Sequence, residues 1–218
     1  VLDIGCGSGG FITAFSDHNC SCTGIEINNF NWKIEDSVDF LVGDITDSSF
    51  NKYISKNYHL IILRDVIEHI PLDNKTLFLE TVLSLMSKKT KLLVTFPPFY
   101  SAFGLHQQTI LKSKFKYFPF LSLFPHSLIK IILGKFQDKD SISKLKEIQN
   151  SRMTIIHFTN LIFELGFEIL NSEKYFVRPS HEIRYGLKMR KINKLDISII
   201  NEILVSGCTY LLRANATD

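Results

Sequence analysis

The sequence predicts an α/β domain in which a mostly parallel, doubly wound sheet carries helices on both faces. Three observations lead there. Short β-branched apolar runs alternate with polar, helix-like windows through the first hundred residues, and parallel strands need such crossovers to pair. The first run empties into a glycine-rich turn that a helix-like window follows. The composition is that of an ordinary globular chain, 218 residues with 45% hydrophobic and 22% charged, which excludes disorder and coiled coil.

Taken in order, strands are expected at 1–4, 22–27, 38–42, 59–63 and 91–96, each β-branched and bounded by turn residues. Helices are expected near 10–17, 47–56 and 73–87. Asp73 suits the start of the last, and Leu77, Val82, Leu85 and Met86 give it an apolar face. The window at 28–37 has room for two turns at most. Pro97-Pro98-Phe99-Tyr100 then opens a long excursion, so 97–150 reads as an insertion within a single domain, 1–218. A helix at 154–165 stops at Gly166, a strand follows at 167–177, and a polar stretch contains Glu182-Ile183-Arg184-Tyr185-Gly186. The chain closes with a helix at 197–204, a strand at 205–213 and a frayed tail from Ala214. It opens on a buried-strand pattern without Met, so a truncated N-terminus is expected.

Charge and cysteine usage narrow the function. A net charge of +3 is far from the basic stripe of a nucleic-acid binder. Cys6, Cys20, Cys22 and Cys208 form no CxxC pair, which points to a reducing, cytoplasmic setting rather than a disulfide framework or a zinc site. Cys20 and Cys22 read as small packing residues. The stretches free of charge, 92–111 and 117–129, are respectively broken by prolines and glutamines and too short to span a bilayer.

The turn is Gly5-Cys6-Gly7-Ser8-Gly9-Gly10. Glycine lets a ligand approach the backbone at the carboxyl end of a strand, where a Cβ would obstruct it. Positions 5, 7 and 10 suit a dinucleotide; 5, 7 and 9 suit S-adenosylmethionine (SAM). Asp3, two residues upstream, stands where dinucleotide folds prefer an apolar residue. Its carboxylate suits a ligand's ammonium, or can order the loop through backbone N–H groups.

Val1-Leu2-Asp3-Ile4-Gly5-Cys6-Gly7-Ser8-Gly9 resembles the first motif of class I SAM-dependent methyltransferases. Gly24-Ile25-Glu26-Ile27 resembles their second, Leu41-Val42-Gly43-Asp44-Ile45 their third, and 60–71 the segment after strand four in small-molecule enzymes, ubiquinone-pathway O-methyltransferases among them. Four motifs in order are far more specific than one glycine pattern. The resemblance implies a Rossmann-like methyltransferase fold with seven strands, the last antiparallel, and a helical lid after strand five. It implies SAM as cofactor, with Glu26 accepting both ribose hydroxyls and Asp44 against the adenine amino group. Asp3, Gly5, Cys6, Gly7, Gly9, Ile27, Ile45 and Arg64 complete the expected cofactor set. Glu26 also lies 21 residues after Gly5, near the ~20-residue offset of a ribose acid.

Asp65, Glu68 and His69 stand at i, i+3 and i+4, so one helical turn would gather them on a face. Such a cluster can hold Mg²⁺, supply a base, or lock a loop by hydrogen bonds above Val66, Ile67 and Ile70. The loop lock is preferred, and no metal is expected. Pro97-Pro98-Phe99-Tyr100 is similar to the Asn-Pro-Pro-Tyr motif of amino-group methyltransferases, but it follows strand five and lacks the Asn, so nucleic acid is rejected again. The stretch 98–108 lies where an acceptor should meet the methyl group. His106 is the expected general base, with His69 as the competitor, and Tyr100 and Gln107 are expected to touch substrate. Residues 111–136 hold five Lys, no acid and six aromatics; a helical cap is preferred over a membrane-surface patch. The function expected is methyl transfer from SAM to a small molecule, at a hydroxyl. A non-catalytic SAM-fold subunit and a nicotinamide-dependent oxidoreductase are the rivals.

Overall fold

The computed structural model describes residues 1–32, 38–54, 57–192 and 198–215. Strands β1 (Leu2–Ile4), β2 (Cys22–Glu26), β3 (Val38–Val42), β4 (Leu60–Arg64) and β5 (Lys91–Phe96) pair in parallel. Strands β6 (Phe167–Val177), β7 (Arg190–Lys191) and β8 (Gly207–Ala214) join them antiparallel, giving one sheet in the order β3-β2-β1-β4-β5-β8-β6-β7. The order reverses between β1 and β4, and open α/β sheets bind ligands in the crevice beyond the strand ends at such a switch.

Helices α1 (Gly10–Ser16), α2 (Lys75–Ser84), α3 (Gln107–Ile110), α4 (His126–Leu133), α5 (Lys139–Asn150), α6 (Ile155–Glu164), α7 (Pro179–Tyr185) and α8 (Ser198–Leu204) accompany the sheet. The central strands are covered on both faces, which is why they are apolar without alternation: Leu2, Ile61, Leu63, Leu92 and Val94 have no exposed surface. From α6, Phe158 packs on Phe96 and Tyr210 with ring centroids 4.9 and 4.8 Å away. Glu202 of α8 accepts the N–H groups of Ile155 and Ile156 at 3.0 and 2.9 Å, so a carboxylate meets the positive end of α6.

Residues 97–150 lie between β5 and α6 and hold α3, α4 and α5. They pack around a core of their own that includes Leu105, Leu111, Leu133 and Leu145. Asp138 caps α5 by accepting the Ser141 N–H.

Several expectations need correction. The sheet has eight strands rather than seven, because Arg190–Lys191 pairs with β6 as a two-residue edge. The window at 47–56 yields only a 3-10 turn at Asn51–Tyr53, with 55–56 outside the described residues. No helix forms over 28–32, and 33–37 also lie outside them. Asp73 falls within a 3-10 turn, and α2 starts at Lys75 without a side-chain cap. The polar stretch around Glu182 is helical, since Pro179 sits comfortably in the first turn of α7. Ala214 is not frayed; it pairs with Phe167.

Candidate active site

Gly5, Gly7 and Gly9 have φ of +76°, +54° and +83°, whereas Gly10 opens α1 as a helical residue. The demand for left-handed backbone thus falls on 5, 7 and 9. A Cβ on Gly5 would stand 2.5 Å from Val66 Cγ2, and one on Gly9 2.6 Å from the Phe40 ring, while at Gly7 it would meet open space. The loop is therefore packed from behind and open in front. Cross-bonds hold it: Gly7 N–H donates to Glu26 Oε2 at 3.0 Å, and Trp32 Nε1–H donates to the Gly7 carbonyl at 2.8 Å. Trp32 stacks on Phe40 at 4.8 Å. Neither ring was singled out from sequence, although Trp32 is the chain's single tryptophan.

In front of the loop is a cleft of about 380 Å³ at the carboxyl ends of four parallel strands. Gly5 follows β1, Glu26 and Ile27 end β2, Asp44 and Ile45 follow β3, and Asp65, Val66 and His69 follow β4; all line it. Glu26 Oε1 accepts the Ile27 N–H at 2.9 Å. Asp44 Oδ1 accepts both the N–H and hydroxyl of Thr46, so it caps its turn while facing the cleft. A second hollow beside the loop is lined by Gly5, Cys6, Gly7 and Arg64, and the Arg64 guanidinium lies 4.2 Å over the Phe11 ring. Burial, with Asp3 and Glu26 nearby, pushes the Cys6 thiol up to about 12, which leaves it inert.

Asp3 is buried, and its Oδ1 has no hydrogen-bond partner among the described residues. It does not order the loop through backbone N–H groups; Glu26 does that. Burial raises the Asp3 carboxyl to about 7, against the pull of the Arg64 guanidinium and with Glu26 adding to the rise.

After β4 the chain turns at Asp65, whose φ of +56° is left-handed. Its carboxylate accepts from Arg178 Nη1 at 3.2 and 3.3 Å and from Thr95 Oγ1 at 3.3 Å. Residues 67–69 form a turn rather than a stretch of α-helix, and Asp65 and His69 both line the cleft. The fully buried Lys75 fixes that turn by donating to the Ile67 and Ile70 carbonyls. Burial lowers its ammonium to about 8, with Glu68 opposing. Glu68 is buried with neither oxygen partnered among the described residues, so the expected lock by its hydrogen bonds needs correction; burial, then Asp65, raises its carboxyl well above the ordinary range.

The His69 and His106 rings meet edge to face at 4.9 Å. Ligand atoms of Glu68, His69 and His106 lie within 4.8 Å of one another.

His106 immediately precedes α3 with a left-handed φ of +55°, after a turn so tight that a Cβ on Gly104 would stand 2.2 Å from the Phe99 carbonyl oxygen. Its Nε2 is buried without a partner among the described residues. Burial, then His69, lowers its imidazole to about 4; Asp65 opposes this and Arg178 adds to it. Of the two expected substrate contacts, Gln107 needs correction: it is fully buried and donates from Nε2 to the Ala102 and Phe118 carbonyls, bracing the 97–150 segment. Tyr100 is half-buried and packs against Phe99 at 5.1 Å beside the core of that segment. Arg178, which carried no local signal, is the side chain that sequence reasoning missed.

No curated protein matches the sequence. Among solved structures, the plantazolicin methyltransferase BamL, crystallised with a triazolic desmethylPZN analog and SAH, is 13% identical with a TM-score of 0.56, over 98% of this chain and 76% of that one. A SAM-dependent methyltransferase from Archaeoglobus fulgidus is 17% identical with a TM-score of 0.55, over 97% and 84%. The magnesium protoporphyrin IX methyltransferase ChlM of Synechocystis PCC 6803, with bound SAH, is 13% identical with a TM-score of 0.54, over 98% and 73%. These likenesses give the fold, and the glycine loop, the acids at the strand ends and the crevice agree with it. A family model described as a methyltransferase domain matches residues 1–131, more than half of the sequence, and the chain belongs to that family.

Proposed function

We propose that this chain transfers a methyl group from SAM to a hydroxyl of a small-molecule acceptor. The observation that carries it is the joining, at the ends of β1 and β2, of a glycine loop open at Gly7 with Glu26 and a buried carboxyl, Asp3, that lacks a hydrogen-bond partner for Oδ1. These residues fit SAM. Asp3 and the loop suit its aminoacid end, Glu26 the ribose, and Ile27, Ile45 and Asp44 the adenine. When bound, SAM supplies a methyl group made electrophilic by a sulfonium. The protein's own part is to bind, align and exclude water. His106 Nε2 takes the acceptor's proton, and the 97–150 lid covers the approach.

Glu26→Ala and Glu26→Gln test the cofactor assignment. Each is expected to weaken SAM binding by about 1.5–3 kcal/mol, the range for hydrogen bonds to a charged group. Calorimetry on folded variants with wild-type affinity would remove Glu26 from the site. The dinucleotide alternative loses its support at Gly10, which needs no left-handed backbone. Turnover with any acceptor excludes a purely binding subunit.

The lid also favours a second contact. Tyr117, Ile131 and Phe136 are 67%, 71% and 61% exposed, among five lysines with no acid between 111 and 136. Apolar side chains ringed by lysine suit weak attachment to an anionic membrane surface. No described helix is long and apolar enough to cross one. Sedimentation with phosphatidylserine vesicles is the check, and recovery no greater than with phosphatidylcholine would dismiss the contact. The four free cysteines support a cytoplasmic setting.

A further inference from the structure

Beyond the cofactor cleft is a separate hollow of about 70 Å³ between the lid and α7, lined by Ser101, His106, Arg178, His181 and Arg184 among others. Two side-chain pairs form the partition between them. Asp65 and His69 face the cleft, while their partners Arg178 and His106 face the hollow. Whatever is held in the hollow is thus one residue-pair away from the cleft.

The hollow is rich in donors and poor in acceptors. Arg178 spends one nitrogen, Nη1, on Asp65, and its Nε is buried without a partner among the described residues. Its side chain is only 18% exposed, so this is a guanidinium largely removed from water with donor capacity unused. Buried donors of that kind are rarely left unmet. Arg184 forms no ion pair among the described residues. Glu182, the acid of the same helix, is turned to the Met189 N–H. Burial, then Arg178 and Arg184, hold the His181 imidazole below its ordinary value, with Asp65 opposing. The hollow has room for a carboxylate or phosphate group.

We infer that this hollow anchors an oxyanion of the methyl acceptor, with Arg178 and Arg184 as the donors, so that the substrate is a hydroxylated carboxylic acid or phosphate ester rather than a neutral alcohol. Planar guanidinium forks match both groups, and lysine does not reproduce the match. The substrate class rests on the methyltransferase proposal; the anion site itself does not.

The test uses inorganic phosphate and acetate as probes, titrated by calorimetry into the whole protein against potassium chloride of equal ionic strength. One or both should bind, phosphate more tightly if the acceptor is phosphorylated and acetate if it is an acid. Arg184→Gln changes an exposed side chain and should weaken the anion by at least about tenfold, with SAM affinity unchanged. Arg178→Lys keeps a cation beside Asp65 but removes the Nε–H donor, and should weaken it similarly. Absence of binding beyond the chloride control, or equal binding to wild type and Arg184→Gln, would overturn the inference. SAM is titrated into the same samples. Its failure to bind would defeat the parent proposal, while the anion titrations would still decide this one.

Discussion

His106→Gln is expected to lower kcat by about 10²–10⁴-fold, the usual worth of a positioned base, with SAM affinity unchanged. The ring is half-buried, its Nε2 has no partner among the described residues, and the residue lines the hollow beside α7. With its free-enzyme value lowered to about 4 by burial and by His69, it is unprotonated through the neutral range. It therefore contributes no acid limb to kcat/KM above about pH 5. An anionic group in the hollow would raise it toward the range where a base is most effective. Stability shares the sign. A histidine depressed on folding favours the neutral form, so its contribution is complete above the unfolded value of 6.5 and is lost as pH falls through about 4. Rate profiles of wild type and His106→Gln, each with and without EDTA, make the check. A variant with wild-type kcat would pass the role to His69. EDTA inhibition reversed by a divalent ion would make Glu68, His69 and His106 a metal set.

Asp3→Asn should weaken SAM binding by about 1.5–3 kcal/mol above neutrality, since it removes a charged acceptor from a buried site. Because burial has raised Asp3 to about 7, binding a cation there requires losing a proton. Wild-type affinity should fall as pH drops through 7, and Asp3→Asn should lack that component of the dependence. Without ligand the sign for folding is opposite to that of His106. A raised carboxyl favours the protonated form, so its stabilisation is complete below 3.8 and is lost as pH rises through about 7. Thermal melts of the two proteins between pH 4 and 7 should converge at the acid end. Parallel melts across that range, together with an unchanged pH profile of SAM binding, would remove Asp3 from the site.

The sequence by itself determined the parallel half of the sheet, the glycine turn and the acids around it. Those features are local: a β-branched run, a left-handed turn and a carboxylate at a strand end each express the chemistry of a few neighbours. The helix at 154–165, its glycine stop and the long strand after it were legible for the same reason. Tertiary structure decided which glycines carry the turn: the left-handed backbone falls at 5, 7 and 9, and the obstacles to a Cβ at Gly5 and Gly9 are Val66 and Phe40, remote in the chain. It also decided the fate of Gln107 and His106. An amide and an imidazole in adjacent residues look equally suited to a site until residues 97–150 fold, sending Gln107 into two backbone bonds and leaving His106 Nε2 without one among the described residues. Arg178 lies 113 residues from Asp65, and no spacing rule links them. Their pairing exists because β6 is carried back beside the first half of the sheet, with β8 between it and β5. That return places the α7 arginines against the histidine of the lid, and long-range closure of this kind leaves no periodicity in a sequence to read.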